Sequence, residues 1–141
     1  MFRRECIQTM NSEDSINTET SFHFQSPSYG DGVKQTLFDS FETEDFDGLR
    51  VMIASITTAG LDGFEEKFKT FCKAGKSLNF LVGTGLAPDP QAIRQLRDIR
   101  DKWPHLVNLQ LVQTVNGQSL FHPKLYWFHG NKRHRLFVGS A

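Results

Sequence analysis

The sequence predicts an α/β domain, a mixed β-sheet flanked by helices. Three observations lead there. Continuous apolar runs at 49–57, 77–83 and 106–113 read as strands. The segments between them place apolar residues at three- and four-residue steps, the period of one helix face. After the third run come two more strand-like stretches, at about 119–128 and 134–140, with only "HGNKR" between them. Strand–helix–strand–helix–strand order calls for parallel strands joined by crossover helices, and the closing pair adds an antiparallel hairpin. In 141 residues, 38% of them hydrophobic and 13 of them Phe, there is room for one domain and one core.

The elements follow in order. Residues 1–35 are polar, Ser/Thr/Asn-rich and without a steady period, so they read as an irregular or disordered arm ahead of a domain spanning 36–141. "QTLFDSFE" suits a short helix with Leu37, Phe38 and Phe41 on one side, and an acidic loop, "ETEDFDG", follows. "LRVMIASIT" is apolar and rich in β-branched residues, so it reads as a strand buried on both faces, and "SLNFLVG" reads the same way. Between them, "AGLDGFEEKFKTFCKAG" reads as a single helix with Leu61, Phe64, Phe68 and Phe71 on its inner face and Gly75 at its C-terminal end. The second helix starts with Asp89 as N-cap and Pro90 at its first position, buries Ala92, Ile93, Leu96, Ile99 and Trp103, and stops at Pro104.

The formal net charge of zero hides an asymmetry. Residues 1–50 hold four basic and ten acidic residues; residues 51–141 hold twelve and six. No carboxylate follows Asp101, whereas Lys102, Lys124, Lys132, Arg133 and Arg135 do, with His105, His122, His129 and His134. A basic, carboxylate-free end suits an anionic ligand such as a phosphodiester, although a solvated basic surface gives the same composition. Cys6 and Cys72 form no CxxC or zinc pattern and read as free thiols of a reducing compartment. With no signal-peptide core and no apolar run of membrane-spanning length, the expected location is cytoplasmic.

Two glycine motifs fail on inspection. "LVGTG" lacks the third glycine of a dinucleotide fingerprint, Ala87-Pro88 standing there instead, and "AGKS" has Thr70 where a phosphate-binding loop needs its first glycine. Zinc is disfavoured because His122 and His129, seven apart on one strand, point to opposite faces with no cysteine or carboxylate nearby in sequence. His105 and His134 read as surface residues. That leaves "FHPKLYWFHG". Strand alternation puts His122, Lys124, Tyr126 and Phe128 on one face, with His122 and Lys124 roughly 7 Å apart at the backbone. Burying a lysine without a partner is costly, whereas a phosphate between the two groups gives both a task. The ammonium neutralises phosphoryl oxygens, and the imidazole attacks phosphorus or moves a proton. Gly139 and Ser140, small and hydroxyl-bearing, come next to the same place on the following strand.

"HPKLYWFHG…LFVGSA" resembles the HxK…GSxN signature of the phospholipase D superfamily, most closely its PLD-like nucleases and restriction endonuclease subgroup, over about residues 45–141. The resemblance implies a phospholipase D-like half-domain and a DNA-directed phosphodiesterase needing no metal or other cofactor. It makes His122 either the nucleophile that becomes phosphohistidine or the acid that protonates the leaving oxygen. It makes Lys124 a ligand of the phosphate oxygens, and Ser140 a contact of the phosphate or an orienter of a catalytic group. Gly139 and Tyr126 join Lys124 and Ser140 as substrate-binding residues.

The pattern departs from the family in three places. His129 stands where the fuller signature has Asp, the loop before Gly139 is three residues longer, and the chain stops after Ala141, where the signature expects Asn. Only one HxK copy is present, whereas attack and leaving-group protonation need two imidazoles. The expected partners are therefore the DNA backbone and a second HxK half, most simply in a homodimer, and this chain alone is expected to be nearly inactive. Two other readings remain: a lipid phosphodiesterase, for which the sequence has no amphipathic membrane segment or lipid-anchor motif, and a truncated, non-catalytic nucleic-acid-binding domain.

Overall fold

The computed structural model describes residues 32–85, 89–113 and 121–139. The elements are α1 (Gly32–Glu42), β1 (Gly48–Ile53), α2 (Thr58–Leu61), α3 (Phe64–Lys73), β2 (Ser77–Gly83), α4 (Pro90–Lys102), β3 (Val107–Val112), β4 (Lys124–His129) and β5 (His134–Val138). Helix α1 begins at Gly32, inside the stretch that composition assigned to the irregular arm. The strands form one five-stranded sheet in the order β3-β2-β1-β4-β5. β1, β2 and β3 run parallel, β4 is antiparallel to β1, and β5 is antiparallel to β4. This is the mixed sheet that the alternation of periods predicted.

Two right-handed crossovers stepping in the same direction, β1 to β2 to β3, put their helices on the same side of the sheet. Leu49, Val51 and Ile53 of β1, Leu78, Phe80 and Val82 of β2, Val107, Phe128 and Phe137 all face that side. They meet Leu37, Leu61, Phe68, Phe71, Ala92, Leu96 and Ile99 from the helices. Phe128 is the hub. It is fully buried, and its ring lies edge-on to Phe41 at 5.0 Å and to Phe137 at 6.2 Å.

The expectation that β1 and β2 are buried on both faces is corrected here. Arg50 is exposed, and Met52, Asn79 and Leu81 are half-buried. Among the described residues, helices cover one face only, so an apolar run in sequence becomes a one-sided strand. The open face carries two registered rows across the sheet. Gln110, Leu81, Met52, Leu125 and Val138 form one; Asn108, Asn79, Arg50, Trp127 and Leu136 form the other.

The single helix expected over 59–75 is also corrected. The chain turns at Asp62-Gly63, and Gly63 takes φ 78°, a left-handed conformation open to glycine and costly for a residue with a Cβ. α2 therefore ends at Leu61, and α3 starts at Phe64. The apolar face survives the break, which is why the period alone did not reveal it. At the far end Gly75, also at φ 78°, closes α3 as expected. The Lys76 amide donates to the Phe71 carbonyl (3.1 Å) and the Gly75 amide to the Cys72 carbonyl (2.9 Å), the paired bonds of a Schellman motif. Cys72 itself is buried, and that burial pushes its thiol up to about 11, so it is no nucleophile at neutral pH. Cys6 lies outside the described residues.

Asp89 caps α4 as predicted, its Oδ1 accepting from the amides of Gln91 (3.0 Å) and Ala92 (3.3 Å). Its other oxygen does something the sequence did not disclose. Oδ2 accepts from both the amide and the hydroxyl of Thr58, each at 2.7 Å, and so ties the start of α4 to the start of α2. These bonds to Thr58, with the cap bonds, hold the Asp89 carboxyl down at about 2, against an ordinary 3.8. A carboxyl with a depressed folded-state pKa adds stability above its unfolded value and loses it as pH falls through the folded one. Asp89→Asn keeps a capping side chain but cannot titrate. The urea midpoint of the wild type is expected to exceed that of the variant at neutral pH, and the gap to close between about pH 3.8 and 2. A gap that persists unchanged below pH 2 would contradict this role.

Candidate functional site

The site residues are positioned by β4 and its two neighbours. Lys124 pairs with Ile53 of β1, and the pairing continues one step further, the Ala54 amide donating to the Pro123 carbonyl at 2.8 Å. On the other side the Gly139 amide donates to the Lys124 carbonyl at 2.8 Å. Gly139 is thus directly across from Lys124, where a missing side chain leaves the lysine room. Ser140 lies outside the described residues.

Register settles the faces. Phe128 pairs with Leu49, Tyr126 with Val51 and Lys124 with Ile53, so all three belong to the helix-covered side. His122 lies two residues before the first residue of β4, outside the register that sets these faces. His129 and Trp127 lie on the opposite face with Gly48 and Arg50. His129 is therefore on the face opposite Lys124. Among the described residues, no three His, Cys, Asp or Glu side chains are grouped closely enough to hold a metal.

His122 is exposed, and Lys124 is half-buried. Among the described residues neither side chain has an ion pair, hydrogen bond or ring contact. A partly buried ammonium with no carboxylate partner among the described residues is a poor structural device and a ready anion ligand. Both residues stand at the carboxyl end of β1, just before the chain leaves through Ser55 and Thr57 toward α2. In open α/β sheets that end is where the connecting loops open a crevice. Tyr126 sits one pleat deeper, and burial raises its hydroxyl above the ordinary value of 10, so it is a neutral donor at physiological pH.

The rest of the basic end does not join them. Arg135 turns inward: it shares the face of Phe137, its guanidinium donates to the buried Ser40 hydroxyl at 2.9 Å, and it lies over the Phe46 ring at 5.7 Å. It ties β5 to α1. Arg133 pairs with Asp45 at 3.2 Å. His105 is exposed, but His134, read as a surface residue, instead accepts from the Trp127 indole at 3.3 Å. The His129 imidazole is held below its ordinary 6.5 by burial first, with Arg50 and His134 adding to the effect. Arg50 stacks over Trp127 at 4.9 Å on the open face. The charge count alone could not separate Arg133 and Arg135 from Lys124, because their partners, Asp45, Ser40 and Phe46, are far away in sequence.

Among the described residues no helix is long and apolar enough to cross a membrane. No protein-family model matches the chain, and no curated protein sequence matches it.

Proposed function

We propose that this chain is a DNA phosphodiesterase of the phospholipase D-like type, built on a half-domain of that fold, with His122 and Lys124 acting on one phosphate. The observation that carries the reading is the Lys124 ammonium, without a carboxylate partner among the described residues, at the carboxyl end of β1 and two residues after the exposed His122. In the reaction, the Lys124 ammonium draws charge from the nonbridging oxygens. An imidazole nitrogen of His122 forms a P–N bond as the P–O bond to the leaving group breaks. The departing oxygen takes a proton from a second imidazole, and that base then removes a proton from the water that cleaves the P–N bond. Since one imidazole cannot be both phosphorylated and the acid, the second is supplied by another copy of the chain across a two-fold axis. Charge stabilisation comes from the two lysine ammonium groups rather than from a metal ion.

Supercoiled DNA incubated with the paired, two-copy form of the protein in excess EDTA is the test of that chemistry. Cleavage is expected to persist in EDTA and to be lost in Lys124→Met. Loss in EDTA with recovery on adding magnesium would sink the lysine-based mechanism.

A further inference from the structure

Beside His122 and Lys124 there is a cavity of about 250 Å³ between the covered sheet face and helices α2 and α3. Neither of the two lines it, but strand neighbours of Lys124 do. Ile53, the partner of Lys124, lines it, as do Tyr126, one pleat in from Lys124, and Ser55, at the exit of β1. Phe64, Phe68 and Phe80 give it aromatic walls, and Ser55 and Thr57 line it with hydroxyls. The Thr57 hydroxyl already accepts from the Gly60 amide, whereas those of Ser55 and Tyr126 have no partner among the described residues. The last residue of α2, Leu61, and the first of α3, Phe64, both line the space.

A cavity with aromatic walls and a few hydroxyls at its mouth has the composition of a small-molecule subsite. Its size suits one planar ring system. Stacking on Phe and Tyr faces holds such a ring whatever its identity, and the hydroxyls offer hydrogen bonds to ring nitrogens or carbonyls. A flexible acyl chain would leave those hydroxyls buried and unpaired. We propose that this cavity is a nucleobase subsite, holding the base of the nucleotide whose phosphate lies on His122 and Lys124. The inference rests on the phosphodiesterase reading and adds a substrate class to it: a nucleotide unit unstacked from its neighbours, as in single-stranded DNA.

The test is calorimetric titration of the protein with four ligands: inorganic phosphate, glycerol 3-phosphate, thymidine 5′-monophosphate and octyl phosphate. Thymidine monophosphate is expected to bind at least tenfold tighter than the first two and tighter than octyl phosphate. Ser55→Phe, which puts a ring into the cavity, is expected to bring the ratio of thymidine monophosphate to phosphate affinity down to about one. Equal affinity for phosphate and thymidine monophosphate in the wild type overturns the subsite and leaves the phosphate site standing. Tighter octyl phosphate overturns it in favour of an acyl chain. Failure of phosphate itself to bind, or binding that Lys124→Ala does not weaken, overturns both. The wild-type comparison decides the matter even if the Ser55 variant does not fold.

Discussion

Replacing His122 by alanine is expected to lower DNA cleavage by roughly 10²- to 10⁴-fold, the range for loss of a proton-transfer or nucleophilic imidazole. Its stability should not change, because the side chain is exposed and has no partner among the described residues. The sharper form of the experiment mixes the two proteins. Wild type titrated with excess His122→Ala forms mixed dimers, each with one imidazole at the shared phosphate. Activity should then fall as wild-type homodimers are depleted. If it tracks the wild-type concentration while mixed dimers demonstrably form, each chain holds a complete site and the two-copy argument fails.

The largest expected effect on stability is at Phe128, on the same strand. Phe128→Ala should cost about 3–5 kcal/mol, the range for removing a fully buried Phe. The ring is packed against Phe41, Phe46, Phe71 and Phe137, so four other aromatics would line the void. Those neighbours come from α1, the loop before β1, α3 and β5, and rigid walls from separate elements collapse poorly onto a gap. Chemical denaturation measures this directly. A loss below about 1 kcal/mol would mean that the core is not organised around this residue.

The two expectations separate cleanly because alternate positions of one strand serve different ends. Phe128 holds β4 against the helices, and Lys124 and His122 emerge where that packing ends. Weakening Phe128 should therefore lower activity only to the extent that it lowers the folded fraction.

The sequence disclosed the strands because apolar runs of five to eight residues bounded by turn residues have few other uses. It disclosed both ends of α4 and the end of α3 because Asp89-Pro90, Pro104 and Gly75 act through purely local geometry. The turn at Asp62-Gly63 was legible in principle, since Asp-Gly is a turn signal. It was overridden by an apolar period that runs straight through it. What depends on distant partners was not legible. The bonds from Thr58 to Asp89 and from Arg135 to Ser40 join residues 31 and 95 positions apart. The cavity beside Lys124 exists only because β1, α2 and α3 meet. The one-sidedness of the sheet was hidden for the same reason: Met52 and Leu81 have the composition of core residues, and only the placement of the helices leaves them on the open face. The face that Lys124 shares with Tyr126 and Phe128 was legible because alternation along a strand fixes it without any help from the rest of the chain.

The claim that these two side chains form a phosphate site is tested most directly by following the histidine imidazole resonances during titration with inorganic phosphate. His105, exposed and remote in sequence from the site, and His129, on the other side of the sheet, serve as internal references. The account predicts saturable movement of the His122 signals, with His105 and His129 nearly still, and its loss in Lys124→Ala. Equal movement of all three, or movement of His122 that survives the Lys124 substitution, would contradict it.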